Sequence, residues 1–261
     1  MTQVVMMRAN DMREFRLLIN NLFIIYNLIN NVFLIDKKNL IIFGWSAKCG
    51  CSHVKAIYNF LQNGKISKTN LHRNTYNNLS NDILNSIEKY TTIIFTRNPY
   101  KRLVSGFLEK YKLNTYFRLR WPDKNIKFNK FVNELGNWNI IDKHHFIQQT
   151  SDAFNDKIMN SKIIKCFDIE NINYDYIEKL YNKKIPLELL EFRGTHARNN
   201  TIKGTDLEFN KYVFDLNMKD YYNFKLKTIF FYNDELKQKV FNFYKNDFLF
   251  FSKLGLDYKL Q

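Results

Sequence analysis

Residues 39–44, Asn-Leu-Ile-Ile-Phe-Gly, form an apolar run closed by glycine. An unbroken run of this length predicts a strand buried on both faces. A tight polar loop, Trp45-Ser-Ala-Lys-Cys-Gly-Cys-Ser-His53, comes next. Val54, Ile57, Tyr58 and Leu61 then recur at helical spacing, and Asn63-Gly64 closes that helix. Together these make strand–loop–helix, the start of a βαβ unit. A second unit repeats the plan. Residues 91–96, Thr-Thr-Ile-Ile-Phe-Thr, are β-branched and apolar and predict a strand. Asn98 is a candidate N-cap and Pro99 a candidate first helical residue, ahead of Leu103, Phe107 and Tyr111 at every fourth position. Between the units, Asp82–Tyr90 reads as a crossover helix. A third strand is expected at Lys162–Phe167, followed by a helix at Asp175–Tyr181. The tail, residues 206–255, reads as two or three helices rich in Phe and Tyr.

Strands alternating with helices predict an α/β fold with a small, mainly parallel central sheet flanked by helices in three layers, and a helical C-terminal part. One stretch ahead of the first strand is ambiguous. Leu17–Ile35 is apolar but carries Asn20, Asn21, Asn27, Asn30 and Asn31, amides that hydrocarbon disfavours. Arg8, Arg13 and Arg16 precede it, as they would a signal anchor. No stem separates this stretch from the strand near Asn39. It is therefore read as a partly amphipathic helix packed on a domain of residues 39–261, with 1–38 as an N-terminal helical extension.

Composition narrows the class. Of 261 residues, 45% are hydrophobic and 16% aromatic, which excludes disorder. Only 8 Gly and 3 Pro exclude collagen-like and low-complexity chains. The net charge is +15, from 40 Lys+Arg against 25 Asp+Glu. Such a field attracts anions of any kind, although scattered lysines also make an ordinary solvated surface. The three cysteines, Cys49, Cys51 and Cys166, argue against a disulfide scaffold and for a reducing, cytoplasmic compartment. A Golgi-type membrane-anchored location is the alternative if Leu17–Ile35 acts as a signal anchor. No Cys/His set has zinc spacing, so no metal is expected.

In a mainly parallel sheet, ligands bind outside the carboxyl ends of the strands, where both informative loops lie. Lys48, Gly50 and Ser52 precede a helix N-terminus, a combination suited to phosphate, but also to a plain surface charge. The Walker pattern is absent, because the lysine precedes the glycine. Arg97 ends the second strand, and Ser105 follows two helical turns later. Arginine offers a planar fork for phosphate oxygens and serine one more donor. Equally, Arg97 pairs with a local carboxylate and Ser105 packs as a small residue. Two such loops at neighbouring strand ends suggest a ligand with two separated anionic groups.

Ala47-Lys-Cys-Gly-Cys-Ser52 and Arg97-Asn-Pro-Tyr-Lys-Arg-Leu-Val-Ser-Gly-Phe107 together resemble the sulfotransferases. They are most similar to the carbohydrate branch that uses 3′-phosphoadenosine 5′-phosphosulfate (PAPS). The first resembles that family's PKxxCT-type 5′-phosphosulfate loop and the second its RxPxxRLxSxF 3′-phosphate motif. His145-Phe-Ile-Gln-Gln-Thr-Ser151 resembles an HFxPQ segment, and Phe241–Phe251 resembles the closing YxxDFxxF helix. Ala47 and Gln148 replace prolines of the pattern, and His53 stands where a small polar residue is common. None of these removes a group needed to bind phosphate, so an active enzyme is expected.

The resemblance implies a P-loop-like three-layer fold and sulfuryl transfer from PAPS to a hydroxyl acceptor, a carbohydrate being the expected class. It implies that Lys48 contacts the 5′-phosphosulfate and neutralises charge on the leaving oxygen. It implies that the residues Cys49, Gly50, Cys51, Ser52 and His53 hold the 5′-phosphate, and that Arg97 and Ser105 hold the 3′-phosphate. A base is then needed for the acceptor hydroxyl. His72 is the first candidate, because family members place a catalytic histidine between the two motifs, and His145 is the second. His144 is set aside, since on a regular element it points away from its neighbour. Cys49 and Cys51 lack C-x-x-C spacing and are read as small packing residues. Residues 112–145 and 183–205, with Trp121 and Trp138, are the expected acceptor region, and Thr195–Lys203 a lid or an ordinary surface loop. Two other classes compete: a basic nucleic-acid-binding protein, for which no specific recognition motif is visible, and a nucleotide-dependent phosphotransferase.

Overall fold

The protein is described by a computed structural model that covers residues 33–65, 79–113, 126–150, 156–190, 213–217 and 226–260. Its centre is a four-stranded sheet in the order β1 (Phe33–Asp36), β2 (Ile41–Gly44), β3 (Thr91–Thr96), β4 (Ile163–Asp168). The pairs β2–β3 and β3–β4 are parallel, and β1 runs antiparallel to β2. Thirteen-residue helix α1 (Cys51–Asn63) follows β2 and closes at Gly64. A short α2 (Asn81–Leu84) and a 3-10 turn (Ile87–Lys89) lead into β3, and α3 (Pro99–Leu113) leaves it. Short helices α4 (Phe128–Asn133), α5 (Lys143–Phe146) and α6 (Asp156–Met159) precede β4. After β4 come α7 (Tyr174–Tyr181), α8 (Leu187–Leu190), a 3-10 turn (Thr228–Phe231), α9 (Asp234–Phe243) and α10 (Lys245–Lys253).

Alternate strand residues feed two cores. Leu34, Ile41, Phe43, Ile93 and Phe95 pack on one face with Val54, Ile57 and Leu61 of α1 and Ile177 of α7. Phe33, Ile35, Ile42 and Ile94 pack on the other with Ile83, Ile87, Tyr90 and Ile158. Such burial on both faces is what unbroken apolar strands require. A third, aromatic core joins α3, α4, α5, α9 and α10 around Phe107, Phe128, Phe131, Phe146 and Tyr244. The chain is therefore the expected α/β fold with a helical C-terminal part.

Two local expectations are corrected. The helix expected through Ile35 gives way to strand β1, so the sheet reaches back to Phe33, ahead of the boundary expected at Asn39. Phe33, Leu34 and Ile35 are all buried, and periodicity alone does not separate such a run from a buried helix. Pairing with β2 decides it, across a turn fixed by Asn39 N–H and Nδ2 donating to the Asp36 carboxylate at 3.0 and 2.7 Å. Residues 1–32 lie outside the described residues. The crossover helix is also broken in two: Ser86 Oγ donates to Asp82 O at 2.8 Å, competing for a carbonyl that a continuous helix would use. Among the described residues no helix is long and apolar enough to cross a membrane.

Candidate active site

The carboxyl ends of β2, β3 and β4 lie side by side, with Gly44 opposite Ile94 and Thr96 opposite Asp168. The loop after β2 turns sharply through positive φ at Lys48 (67°) and Gly50 (65°), with Cys49 between them. Alternating φ signs turn successive N–H groups toward one side and form an anion-binding concavity. The first turn of α1 adds its dipole and carries no acidic residue to oppose it. Gly50 also lies against the chain beyond β4, where a Cβ would sit 2.4 Å from Ile169 Cγ1. The Lys48 side chain is only 11% exposed, and its ammonium pairs with the Glu109 carboxylate of α3. Burial lowers the Lys48 pKa, an effect that Glu109 opposes.

Cys49 is fully buried, and burial pushes its thiol up to about 11. It stays protonated and donates to Gln149 Oε1 at 2.8 Å. All three cysteines are free, in keeping with a packing role. Ser52 is half-buried on the first turn of α1. His53 turns its Nε2 to Tyr174 Oη, 2.7 Å away, and burial lowers its pKa.

The second loop forms as its sequence predicts. Asn98 Oδ1 accepts from Tyr100 N–H at 3.0 Å, and Pro99 opens α3. Arg97 is one-quarter exposed and shares Glu170 with Lys101, at 3.4 and 2.7 Å. Its Nε is buried without a hydrogen bond. The expected local carboxylate is therefore there, yet it leaves a guanidinium N–H unsatisfied, and a buried unsatisfied donor costs about 1–3 kcal/mol. Ser105 is half-buried on the same helix.

The two loops are bound together by residues to which the sequence assigns no role. Arg102, 1% exposed, donates from Nε to Ala47 O and from Nη1 to Ile147 O, each at 2.8 Å. Asp247 of α10 is fully buried and accepts from the N–H groups of Gln149 and Thr150 at 2.8 Å and from Thr150 Oγ1 at 2.6 Å. Burial raises its pKa, opposed by Thr150 and Arg102. Tyr244 Oη donates to Phe146 O at 2.7 Å. The HFxPQ-like and YxxDFxxF-like segments are thus two halves of one junction. Arg102 and Glu109 share the α3 face of Ser105 by their three- and four-residue spacing, which puts them near the site but does not show what they pair with.

Helix α5 brings the histidines to this place. Gly106 seats it, since a Cβ there would lie 2.7 Å from Phe146 Cε1. Asp142 caps α5 by accepting from His144 N–H at 3.2 Å, and its other oxygen pairs with His145 Nδ1. A carboxylate on Nδ1 places the proton there and leaves Nε2 as the basic nitrogen. Burial lowers the His145 pKa, Asp142 opposes this, and the charges of Lys110 and Lys48 add to the lowering. Lys48 is therefore close enough for its charge to bear on His145. The expectation that His144 points away is corrected: the two imidazole centroids are 4.7 Å apart on the single turn of α5. Burial also holds His144 well below the usual imidazole range. His72, Trp121 and Thr195–Lys203 lie outside the described residues. Trp138, from the expected acceptor region, packs on Phe243 with centroids 6.2 Å apart. Among the described residues no three His, Cys, Asp or Glu side chains are grouped to hold a metal ion.

The chain matches no curated protein and no solved structure. A family model described as "Sulfotransferase family" matches residues 31–253, from just ahead of β1 to the end of α10. That span takes in the sheet, both strand-end loops and the closing helix that ties them together, and the chain belongs to the sulfotransferase family.

Proposed function

We propose that this transferase takes its sulfuryl group from PAPS and delivers it to a hydroxyl of a carbohydrate, with Lys48 and His145 as the catalytic pair. The observation that carries the reading is that one side-chain oxygen, Gln149 Oε1, bonds both loops, to Cys49 Sγ at 2.8 Å and Arg97 N–H at 3.1 Å. Two anion cradles that close to each other suit the two ends of one nucleotide. The residues fit such a donor on one further count, the unsatisfied, buried Arg97 Nε.

When bound, PAPS supplies a sulfuryl group activated by its phosphoanhydride bond. The chain supplies position and charge. Residues Cys49–His53 and Ser52 Oγ hold the 5′-phosphate, and Arg97 and Ser105 hold the 3′-phosphate. Lys48 keeps an ammonium at the leaving oxygen, where charge develops. His145 Nε2 takes the acceptor proton while Asp142 stabilises the imidazolium on Nδ1. Its lowered pKa supports this role, because the imidazole is neutral at neutral pH.

The test is binding of adenosine 3′,5′-bisphosphate, read as a thermal shift. At 100 times Kd a ligand stabilises by about 2.7 kcal/mol. Arg97→Ala should abolish the shift, and Lys48→Ala should lower kcat more than affinity, since its contact strengthens in the transition state. An unchanged melting temperature with saturating bisphosphate, alongside a shift with ATP and magnesium, would replace this reading by phosphotransfer. Sulfate transfer to a panel of glycans then identifies the acceptor.

A further inference from the structure

Gln149 is 2% exposed and lies on neither strand-end loop, yet its side chain is bonded to both. Oε1 accepts from Cys49 Sγ and Thr96 Oγ1, both at 2.8 Å, and from Arg97 N–H at 3.1 Å. Nε2 donates back to Arg97 O at 2.8 Å. The amide therefore pairs with the Arg97 main chain at two points, as a neighbouring strand would. The same oxygen reaches across to the loop after β2. The backbone of Gln149 is in turn fixed by its N–H bond to buried Asp247 at 2.8 Å.

An amide is the side chain this place demands. Three donors converge on one oxygen while one carbonyl needs a donor. A carboxylate would leave Arg97 O facing an acceptor, and an apolar side chain would take a partner from all four groups in a buried site, leaving Cys49 Sγ only its contact with Ser46 Oγ at 3.0 Å.

We infer that Gln149 is a positioning residue that sets the spacing between the two anion cradles, and so determines how much tighter a nucleotide with both phosphates binds than one with either. This rests on the donor reading above. A ligand gripped at both ends benefits from the second grip only if the two sites are held at its own span. Loosening the tie between them leaves each cradle able to take its own phosphate and erodes the gain from joining them.

The experiment compares three ligands by calorimetry: adenosine 3′,5′-bisphosphate, adenosine 5′-phosphate and adenosine 3′-phosphate. In the parent protein the bisphosphate should bind tighter than either monophosphate. In Gln149→Met its affinity should fall at least about tenfold while each monophosphate changes by less than about threefold. Gln149→Asn keeps an amide but is one methylene too short to bond both loops at once. It should show the same selective loss at smaller size, and it carries the test if the methionine variant does not fold. Equal losses for all three ligands in the variants, or no loss, would overturn the positioning role and leave the donor reading standing. A parent protein that binds the bisphosphate no better than a monophosphate would overturn the donor reading and this inference with it.

Discussion

Gly50→Ala tests whether the first cradle is built as described. Gly50 has φ 65°, and an L-residue in that region costs roughly 1–2 kcal/mol. The added Cβ would also lie 2.4 and 2.5 Å from Ile169 Cγ1 and Cδ1, far inside contact distance. Ile169 cannot retreat with its main chain, because its N–H donates to Thr96 O at 2.8 Å and extends the β3–β4 pairing. Only the side chain can move, and overpacking of this kind costs about 1–3 kcal/mol. The two effects sum to roughly 2–5 kcal/mol. For a chain of this size each kcal/mol is about 2–4 °C in Tm.

The assay is urea unfolding of the parent, Gly50→Ala, Ile169→Ala and the double variant. Ile169→Ala removes both clashing atoms. The double-mutant cycle should therefore return a favourable coupling of about 1–3 kcal/mol, leaving the φ cost behind. The double variant should also recover bisphosphate binding, since alanine tolerates the loop's shape once room exists. A single variant within about 0.5 kcal/mol of the parent would show that the loop is not packed on Ile169, because changes that small are typical of positions without such contacts. So would a coupling of zero.

Three further outcomes follow from the charges around the site. Glu170→Gln frees Arg97 from a partner that competes with phosphate; because Glu170 is 46% exposed the gain is small, about two- to fivefold tighter bisphosphate binding by titration calorimetry. His145→Ala should lower kcat on the order of 10²–10⁴-fold. Asp142→Asn should lower kcat less and move the acid limb of the kcat profile to lower pH, because Asp142 raises the His145 pKa; a move to higher pH would contradict the assignment. His144 is held neutral by burial, so its folded pKa lies below the unfolded value. The stability this represents is present above about pH 6.5 and lost as pH falls toward the folded pKa, at up to about 1.4 kcal/mol per pH unit for one proton. His144→Phe should therefore show a shallower fall in unfolding free energy between pH 6.5 and 5 than the parent.

What the sequence discloses is what local chemistry decides. Asn98 and Pro99 mark the start of α3 because cap and first-turn proline act within three residues. The apolar runs of β2 and β3 announce strands because nothing polar interrupts them. Strand β1 is hidden because its conformation depends on a partner strand across a turn. His144 is misjudged because the segment is a turn of helix, on which neighbouring side chains are about 100° apart, and not a strand, on which they point to opposite faces. Lys48, Arg97 and His145 are legible as candidates from their motifs, whereas their carboxylate partners Glu109, Glu170 and Asp142 are not. A carboxylate gains meaning only from what faces it, and the pairs Lys48–Glu109 and Arg97–Glu170 are 61 and 73 residues apart.

The substitution of Ala47 for the proline of the resembled motif shows how the hidden part supports the visible one. A proline would stiffen the loop by fixing φ. In this chain the Ala47 carbonyl is instead held by the buried Arg102, which also holds Ile147, and the neighbouring Cys49 is held by Gln149. Gln149 is anchored on Asp247, whose charge Arg102 in turn stabilises. Rigidity that one ring could supply locally is thus supplied by a closed circuit through α3, the segment after α5 and α10. Such a circuit is cooperative, because each bond is strong only while the others keep its groups dry and aligned. Four short motifs that stand apart along the chain are therefore one structural unit, into which both strand-end loops are tied without the proline.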